Sequence, residues 1–374
     1  MPDTPPFLSE SRRVACAGSG GGALLVASMK SHTTISYQDI ISPENVYAAW
    51  REFFRGKKDK PDVAEFALLL SQHIYELHFV LKHAEYQHGG YSAFPVNDPK
   101  PRSIHKATVR DRLLHRALYR KLYPFFDRTF IYDSYSCRIG KGTHRAMNRF
   151  RAFAYKASRN HTRTLFVLKC DIRKFFANID HGILFEILSG YIPDGDILDL
   201  LKNTVGSFKT PRQSWIPASA GMTERKGLPL GNLTSQLFVN IYMNEFDQFV
   251  KHALKVKYYI RYADDFVLLS HDKAELEELL PQIRKFLNER LKLSLHPDKV
   301  FIKTLASGVD FLGWVHFPDH RVLRVSTKRR MFRRLRGEPS EESIASYLGL
   351  LSHGNAFTLQ KRIETGYSSV NART

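Results

Sequence analysis

Residues 258–269 read Tyr258-Tyr259-Ile260-Arg261-Tyr262-Ala263-Asp264-Asp265-Phe266-Val267-Leu268-Leu269. Two short apolar and aromatic runs flank a pair of adjacent acids, which predicts a β-hairpin with both aspartates at its turn. Another apolar run, from Leu165 to Cys170, ends at Asp171. If these segments are adjacent strands of one sheet, Asp171, Asp264 and Asp265 lie at the same edge of that sheet.

The aspartate pair allows two interpretations. An Asp-Asp pair between apolar strands is more often only a turn, because aspartate favours turn positions. Carboxylates at strand ends are also the hard ligands that divalent cations require. Two such ions, about 3.5–4 Å apart, can stabilise both the attacking and the departing oxygen of a nucleotidyl transfer. The rest of the sequence has to decide between a turn and a metal site.

The composition indicates a globular protein with a polyanionic partner. The chain has 374 residues, 43% of them hydrophobic, enough for a core divided into two or three subdomains. A net charge of +19 favours nucleic acid over a membrane surface, because the basic clusters interleave with aromatics and no apolar run could span a bilayer. Three cysteines without metal-ligand spacing are typical of the cytoplasm.

Helical and extended segments alternate along the chain. Apolar positions at three- and four-residue spacing predict helices from Asp39 to about His83 and from Arg110 to Phe126. Prolines between Tyr91 and Ile104 predict an extended or looped segment. After the hairpin, Asp272 and Glu275 predict a capping box that opens a helix, with Pro281 as a candidate kink.

Two segments do not follow these patterns. Residues 1–28 contain a short apolar run broken by glycines, and we expect a disordered tail or translation upstream of a start at Met29 rather than an export signal. Residues 207–225 have little periodicity and predict an exposed inserted loop.

Several motifs together resemble reverse transcriptases. Tyr262-Ala263-Asp264-Asp265 resembles their Tyr-X-Asp-Asp signature, and the segment 171–176 resembles their first metal-binding motif. Residues 227–236 are similar to the nucleotide-pocket motif, and residues 295–299 and 309–314 to the two following motifs, of which the second is the primer grip. Residues 99–102 and 109–112 resemble the fingers. The similarity runs from about residue 60 to 318 and favours the metal site over the plain turn.

The resemblance implies an α+β right-hand polymerase fold. Its palm is an antiparallel sheet with helices, accompanied by fingers and a short helical thumb. The boundaries that we expect are an N-terminal helical region at 29–95, fingers at 96–165, a palm at 166–318 that carries the 207–225 insertion, and a basic helical thumb with a C-terminal tail at 319–374.

The resemblance also implies a reaction and its partners. We expect RNA-directed DNA synthesis with two Mg²⁺ ions, or Mn²⁺, on an RNA template and a DNA or RNA primer, with deoxynucleoside triphosphates, an accessory protein and no membrane. Leu230-Gly231 and Ser235-Gln236 stand where intron enzymes usually carry Gln-Gly and Ser-Pro, which favours a diversity-generating retroelement. The alternatives are a group II intron-derived or defence-associated enzyme, or a domesticated RNA-binding protein.

The resemblance assigns roles to individual residues near the reaction. Asp171 and Asp264, with the carbonyl of Ile172, would ligate the metals, and Asp265 would add charge nearby. Phe176 would be the steric gate that excludes ribonucleotides, unless both it and Phe175 are core residues. The residues that would contact the nucleotide are Lys100, Arg102, Leu230, Gly231, Gln236 and Lys299. Lys299 would either protonate pyrophosphate or be a surface charge.

An apolar residue at position 230 bears on copying accuracy. The polar side chain that the family usually has at this position would select the correct nucleotide through hydrogen bonds, whereas Leu230 can select only by the shape of its apolar contact. We therefore expect low fidelity, with ordinary pocket packing as the alternative.

Basic stretches would hold the template and primer. Residues 134–170 carry nine lysines or arginines and no acid, and residues 321–336 carry eight, again with no acid. Charge runs are usually solvated faces, but a single sign at this length favours phosphate contacts. The candidate positions are Arg138, Lys141, Arg145, Arg329, Arg330 and Arg333, and the primer grip would be Phe311, Leu312 and Gly313.

Overall fold

The computed structural model describes residues 31–97, 101–208, 226–336 and 339–371, and the side chains of the last range as far as residue 365. The expected tail at 1–28, Lys100, and residues 209–225 of the expected insertion lie outside the described residues.

Helices and strands alternate along the chain. The helices are α1 (Tyr37–Ile41), α2 (Pro43–Phe54), α3 (Pro61–Leu68), α4 (Leu70–Lys82), α5 (Val109–Thr129), α6 (Thr143–Ala157), α7 (His181–Ser189), α8 (Gly195–Gly206), α9 (Leu233–Gln248), α10 (Lys273–Leu291), α11 (Val325–Arg334), α12 (Glu341–Leu351) and α13 (Phe357–Asn371). The strands are β1 (Tyr91–Val96), β2 (Arg102–Ala107), β3 (Phe166–Asp171), β4 (Tyr259–Tyr262), β5 (Asp265–Ser270), β6 (Phe301–Thr304), β7 (Val309–Phe311), β8 (Trp314–His316) and β9 (Arg321–Leu323).

A four-stranded antiparallel sheet forms the centre, with the strand order β4-β5-β3-β6. Its two faces pack on different cores because side chains alternate along a strand. Leu168 and Cys170 of β3 belong to a core that also includes residues of α5, α9 and α10. Val167, between them, packs with Phe150 and Phe153 of α6 on the other face. The predicted strand that ends at Asp171 and the predicted hairpin are therefore both present.

The N-terminal helices pack on α5. Helix α2 buries Val46, Trp50 and Phe53, and α5 buries Leu113, Leu118 and Phe126, all in the core that reaches the central sheet. The segment expected to be extended or looped is a β-hairpin, in which β1 pairs antiparallel with β2.

The prediction for the start of α10 is confirmed at Asp272 and wrong at Glu275. Asp272 caps the helix by accepting from the Ala274 backbone N–H, but Glu275 accepts instead from the Ser270 hydroxyl. No capping box forms, because the Asp272 backbone N–H donates to the Ser270 hydroxyl oxygen at 3.0 Å and not to the Glu275 carboxylate. Pro281 lies inside α10, which continues past it to Leu291.

A small C-terminal unit follows the central sheet. Strands β7, β8 and β9 form an antiparallel sheet, and Trp314 packs with Met331 of α11, Leu351 of α12 and Ile363 of α13. The expected palm boundary at residue 318 falls between β8 and β9, inside this sheet. Among the described helices, none has the length and apolar character needed to cross a lipid bilayer.

Gly354 allows the chain after α12 to pass directly over Trp314. A Cβ atom at this position would overlap the indole ring. We expect Gly354→Ala to lower the free energy of unfolding by about 1–3 kcal/mol through overpacking. Gly349→Ala, in the open on α12, is the matched control and should be neutral or stabilising by up to about 1 kcal/mol. Chemical denaturation measures both, and equal stability of the two variants would contradict the contact.

Candidate active site

The three predicted aspartates lie at one edge of the central sheet. Asp171 and Asp265 are direct partners in the antiparallel pairing of β3 and β5. The Ile172 backbone N–H donates to the carbonyl of Asp264 at 3.1 Å. Ala263 and Asp264 form a two-residue turn, because Tyr262 pairs with Asp265. Strand pairing alone thus brings the two motifs together.

The turn itself is strained. Ala263 has φ +55°, in the left-handed region that non-glycine residues rarely adopt. Tight hairpins require positive φ at a central turn position, because only such turns match the twist of the flanking strands. An alanine in this region costs about 1–2 kcal/mol. Neighbouring contacts must therefore hold the turn in place.

Lys299 is an immediate neighbour of Asp171. Its ammonium donates to Asp171 Oδ1 at 2.7 Å, with the two side chains 37% and 18% exposed. The His296 backbone N–H donates to the Asp171 carbonyl at 2.7 Å, which binds the motif at 295–299 to the end of β3. The structure thus brings the predicted basic residue to the predicted acid.

Asp264 lies in a field of opposing charges. Burial raises the pKa of its carboxyl, and the negative charge of Asp171 raises it further. Lys299 and Arg102 lower it in opposition. Arg102 begins strand β2, so the charge at the start of this strand acts on the predicted catalytic turn.

Asp265 has different surroundings from the other two acids. Its Oδ2 lies 3.2 Å from the Lys169 ammonium, and its Oδ1 is buried without a hydrogen-bond partner among the described residues. Burial raises the pKa of Asp265 to about 7, although Lys169 acts in the opposite direction. The Asp265 carboxylate is therefore already paired with a cation of the protein.

The donor set at this edge fits hard divalent cations. Within the described ranges, no three histidine, cysteine, aspartate or glutamate side chains are grouped as a ready metal site. Asp171 and Asp264, however, are mutually repelling carboxylates, a repulsion that a bound cation would relieve. Backbone carbonyls and substrate phosphates would have to complete the coordination, as is usual for Mg²⁺.

The predicted nucleotide-pocket motif is bound to strand β2. The His105 N–H donates to the Leu230 carbonyl at 2.9 Å, and the Asn232 amide donates to the His105 carbonyl at 3.1 Å. Gly231 has φ +105°, and a Cβ there would lie 2.8 Å from an Ile104 methyl. Only glycine suits this close approach.

The two phenylalanines after Asp171 have different environments. Phe175 is buried in the core, whereas Phe176 is only partly buried and its carbonyl accepts from the Leu228 N–H at 2.8 Å. Phe176 is therefore the one of the pair next to the pocket motif. Gln236, on the first turn of α9, is also partly exposed.

The predicted primer grip is a tight hairpin turn between β7 and β8. Leu312 and Gly313 both have positive φ, +54° and +87°. Phe311 is fully buried, 5.6 Å from the Phe150 ring, so it supports the turn from the core. Of the three predicted primer-grip residues, Leu312 and Gly313 therefore form the turn itself.

One predicted phosphate contact needs correction. The Arg138 side chain is only 5% exposed, forms an ion pair with Asp127 at 2.7 Å, and donates to the carbonyls of Ile131 and Ser134. Its guanidinium is committed to the protein and is not presented to a phosphate. Arginine runs do not reveal which members have internal partners.

The other predicted basic residues lie at the surface in varying degree. Lys141 lies 3.4 Å from the Tyr132 ring centroid, and Arg145 is exposed at the start of α6. On α11, Arg329 and Arg333 are exposed and Arg330 is partly exposed.

Sequence reasoning missed Arg261, which is fully buried. Its guanidinium forms an ion pair with Asp247 at 2.6 Å and donates to the Ala263 carbonyl at 3.2 Å. The sequence does contain a signal for this residue: an arginine stands between Ile260 and Tyr262, in a strand whose other residues are apolar or aromatic.

The raised pKa of Asp265 makes stability depend on pH. Its ordinary value is 3.8, so the native state binds this proton more tightly than the unfolded chain does. Without divalent metal, the free energy of unfolding of the wild type should fall relative to Asp265→Asn as pH rises from about 4 to about 7. Denaturant titrations across this range measure it, and parallel pH curves for the two proteins would contradict the burial of a titrating carboxyl.

Comparison with curated proteins finds relatives among bacterial and intron-encoded proteins. Protein YkfC of Escherichia coli K12 is 26% identical over 281 residues, which cover 67% of this chain and 70% of YkfC. The group II intron-encoded protein LtrA of Lactococcus lactis subsp. cremoris is 22% identical over 296 residues, which cover 63% of this chain. The chain thus spans less than half of LtrA, 47% of its length.

Solved structures give weaker matches. A Candida albicans telomerase in complex with a telomeric RNA fragment aligns with a TM-score of 0.46 and 12% identity, over 71% of this chain and 51% of that one. A chain of a partial Cas6-RT-Cas1–Cas2 complex aligns with a TM-score of 0.39 and 19% identity, over 68% of this chain and 43% of that one.

A family model decides the identity. The model described as reverse transcriptase (RNA-dependent DNA polymerase) matches residues 95–316, more than half of the chain. The match spans the metal-binding, pocket and primer-grip motifs, and the α+β architecture and the family expected from them are confirmed. The chain belongs to the reverse transcriptase family of RNA-dependent DNA polymerases.

Proposed function

We propose that this chain copies RNA into DNA by two-metal-ion nucleotidyl transfer at Asp171 and Asp264. One observation carries the proposal: strand pairing sets these acids at one sheet edge, where Lys299 and Arg102 act on the same charges. Two Mg²⁺ ions, or Mn²⁺, held by the carboxylates and the Ile172 carbonyl would neutralise charge on the attacking and departing oxygens.

The cationic side chains would receive the triphosphate. Arg102 begins strand β2 and its charge acts on Asp264, and a guanidinium there could bind phosphate oxygens in a forked geometry. Lys299 donates to Asp171, and a cation that binds Asp171 would free its ammonium for the leaving pyrophosphate. Asp265, paired with Lys169, would add negative charge beside the ions.

The partly buried Phe176 would form the wall against the sugar. The Leu228 N–H of the pocket motif donates to the Phe176 carbonyl at 2.8 Å, and the Phe176 ring packs edge-on against Phe175 at the margin of the core. A flat ring there excludes a ribose 2′ hydroxyl and would select deoxynucleoside triphosphates. Gln236 of α9 would line the same pocket.

Exposed cations would bind the RNA template and the primer. Arg145 of α6 and Arg329, Arg330 and Arg333 of α11 would contact phosphates, while the Leu312–Gly313 turn would hold the primer end. Lys141 is half-buried and its ammonium donates to the Tyr132 carbonyl at 2.9 Å, so it would have to leave that contact to bind a phosphate. The cytoplasmic location and an accessory protein stay predictions from the sequence.

Loss of one metal-binding carboxylate tests the reaction. We expect Asp264→Asn to lower primer extension on an RNA template by on the order of 10³-fold, or about 4 kcal/mol of transition-state stabilisation. The matched control is Asp199→Asn, the same change at an exposed surface acid of α8, and it should extend like the wild type. Equal extension by the Asp264 and Asp199 variants, or none by the wild type, would contradict the proposal and favour a domesticated RNA-binding protein.

Within the family, we favour a mutagenic enzyme of a diversity-generating retroelement. The support is the apolar Leu230, partly exposed in the pocket motif beside strand β2. A group II intron-derived enzyme is the second candidate, because LtrA is among the relatives. A defence-associated enzyme is the third. Flanking genes separate them: a template repeat with a variable repeat favours the first, intron ends the second and a toxin-like partner the third.

Position 230 gives a test of copying accuracy. We expect Leu230→Gln to lower the error rate by about tenfold, because a hydrogen bond to the nucleotide discriminates better than an apolar contact. Leu230→Met keeps the apolar character and serves as the control. Sequencing of complementary DNA made by each protein gives the error rates. An unchanged rate in Leu230→Gln would show that Leu230 is ordinary pocket packing.

A further inference from the structure

We propose that Arg261 is a positioning residue, whose guanidinium holds the strained turn that presents Asp264 and links it to the pocket helix α9. The inference rests on the proposed polymerase function, because it assigns a purpose to the position of Asp264. The buried guanidinium bonds the carbonyl of Ala263 in this turn, so it acts on Asp264 through the backbone and is not a catalytic residue.

The guanidinium is anchored first by Asp247 of α9. Arg261 Nη2 donates to Asp247 Oδ2 at 2.6 Å and Nε donates to Oδ1 at 2.8 Å, with both side chains fully buried. Tyr259 donates to the same carboxylate at 2.7 Å. Such paired, desolvated hydrogen bonds fix the orientation of the guanidinium plane.

The remaining donor is directed at the turn. Arg261 Nη1 donates to the Ala263 carbonyl at 3.2 Å and to Asn240 Oδ1 at 3.3 Å. Ala263 is the turn residue with φ +55°. A left-handed alanine needs a stabilising contact, and this hydrogen bond supplies one at the peptide that precedes Asp264.

Arg261 also joins the outer side of β4 to a segment of the fingers. Its Nη2 donates to Ser134 Oγ at 3.0 Å, its backbone N–H donates to the Asp133 carbonyl at 3.0 Å, and its carbonyl accepts from Tyr135 at 2.9 Å. Strand β4 is the last strand of the central sheet on this side. One residue thus connects α9, the fingers segment and the catalytic turn.

The geometry requires arginine and not only a positive charge. A guanidinium presents five N–H donors in a fixed plane, whereas an ammonium is a compact charge with three. Lysine at this position could keep the ion pair with Asp247 but could not reach Asn240, Ser134 and the turn carbonyl together. A residue that only compensated the Asp247 charge would not need these contacts.

The experiment separates positioning from simple stability. Single-turnover extension on an RNA template gives a rate constant for the folded enzyme and an amplitude that reports the folded fraction. We expect Arg261→Lys to lower the rate constant by about 10–100-fold, since a displacement of about 1 Å can cost about 10²-fold. The amplitude should stay near that of the wild type.

Two further proteins complete the design. Tyr259→Phe is the matched control, because it removes one hydrogen bond from the same buried network without touching the turn, and its rate constant should match the wild type. Arg261→Gln with Asp247→Asn replaces the ion pair by neutral amides, leaves no buried unpaired charge and still lacks the donor to the turn. It should show the same loss in rate constant as Arg261→Lys.

Hydrogen exchange of residues 262–266, without metal or nucleotide, gives a readout independent of activity. Exchange should be faster in both Arg261 proteins than in Tyr259→Phe. Rate constants equal to the control, unchanged exchange at the turn, or loss of folding in both Arg261 proteins would each overturn the inference. A wild type that does not extend primers would overturn the proposed function alone, and the exchange result would still decide the positioning role.

Discussion

The pairing of β3 with β5 is the constraint on which the site depends. The register sets Asp171 opposite Asp265, and a slip by one residue would turn every side chain of the strand to the other face. That slip would move Lys169 into the apolar core that Leu168 shares with residues of α5, α9 and α10, and would take Val167 out of the cluster that it forms with residues of α6. Apolar burial on two faces therefore determines where the carboxylates lie.

The same pairing brings like charges together, which is unfavourable without counter-ions. Cations from separate elements offset this repulsion. They are Lys169 of β3, Lys299 of the motif after α10, and Arg102 of the hairpin formed by β1 and β2. Each acts on a different acid or from a different side. These cations offset part of the repulsion, but the pKa of Asp264 stays above its ordinary value because burial and Asp171 outweigh them.

Much of this arrangement could be predicted from the sequence. The hairpin, the strand that ends at Asp171 and the family follow from apolar runs and motif order, because strand periodicity and turn composition are local signals. The partners of long side chains could not be predicted. Arg138 was expected at a phosphate and lies on Asp127, and Glu275 was expected at a helix cap and lies on Ser270. Ser270 lies five residues from Glu275, and Asp127 lies eleven residues from Arg138, so proximity in sequence allows these contacts but does not select them over the expected ones.

Strand β4 would be an open edge of the central sheet without the segment at 133–135, whose backbone groups pair with Arg261. An edge strand as apolar and aromatic as Tyr258-Tyr259-Ile260 is a template for intermolecular pairing and aggregation. The chain covers it with residues more than a hundred positions away in sequence. Contacts between residues so far apart in sequence form late in folding, so an intermediate that lacks this contact exposes the β4 edge and can aggregate through it.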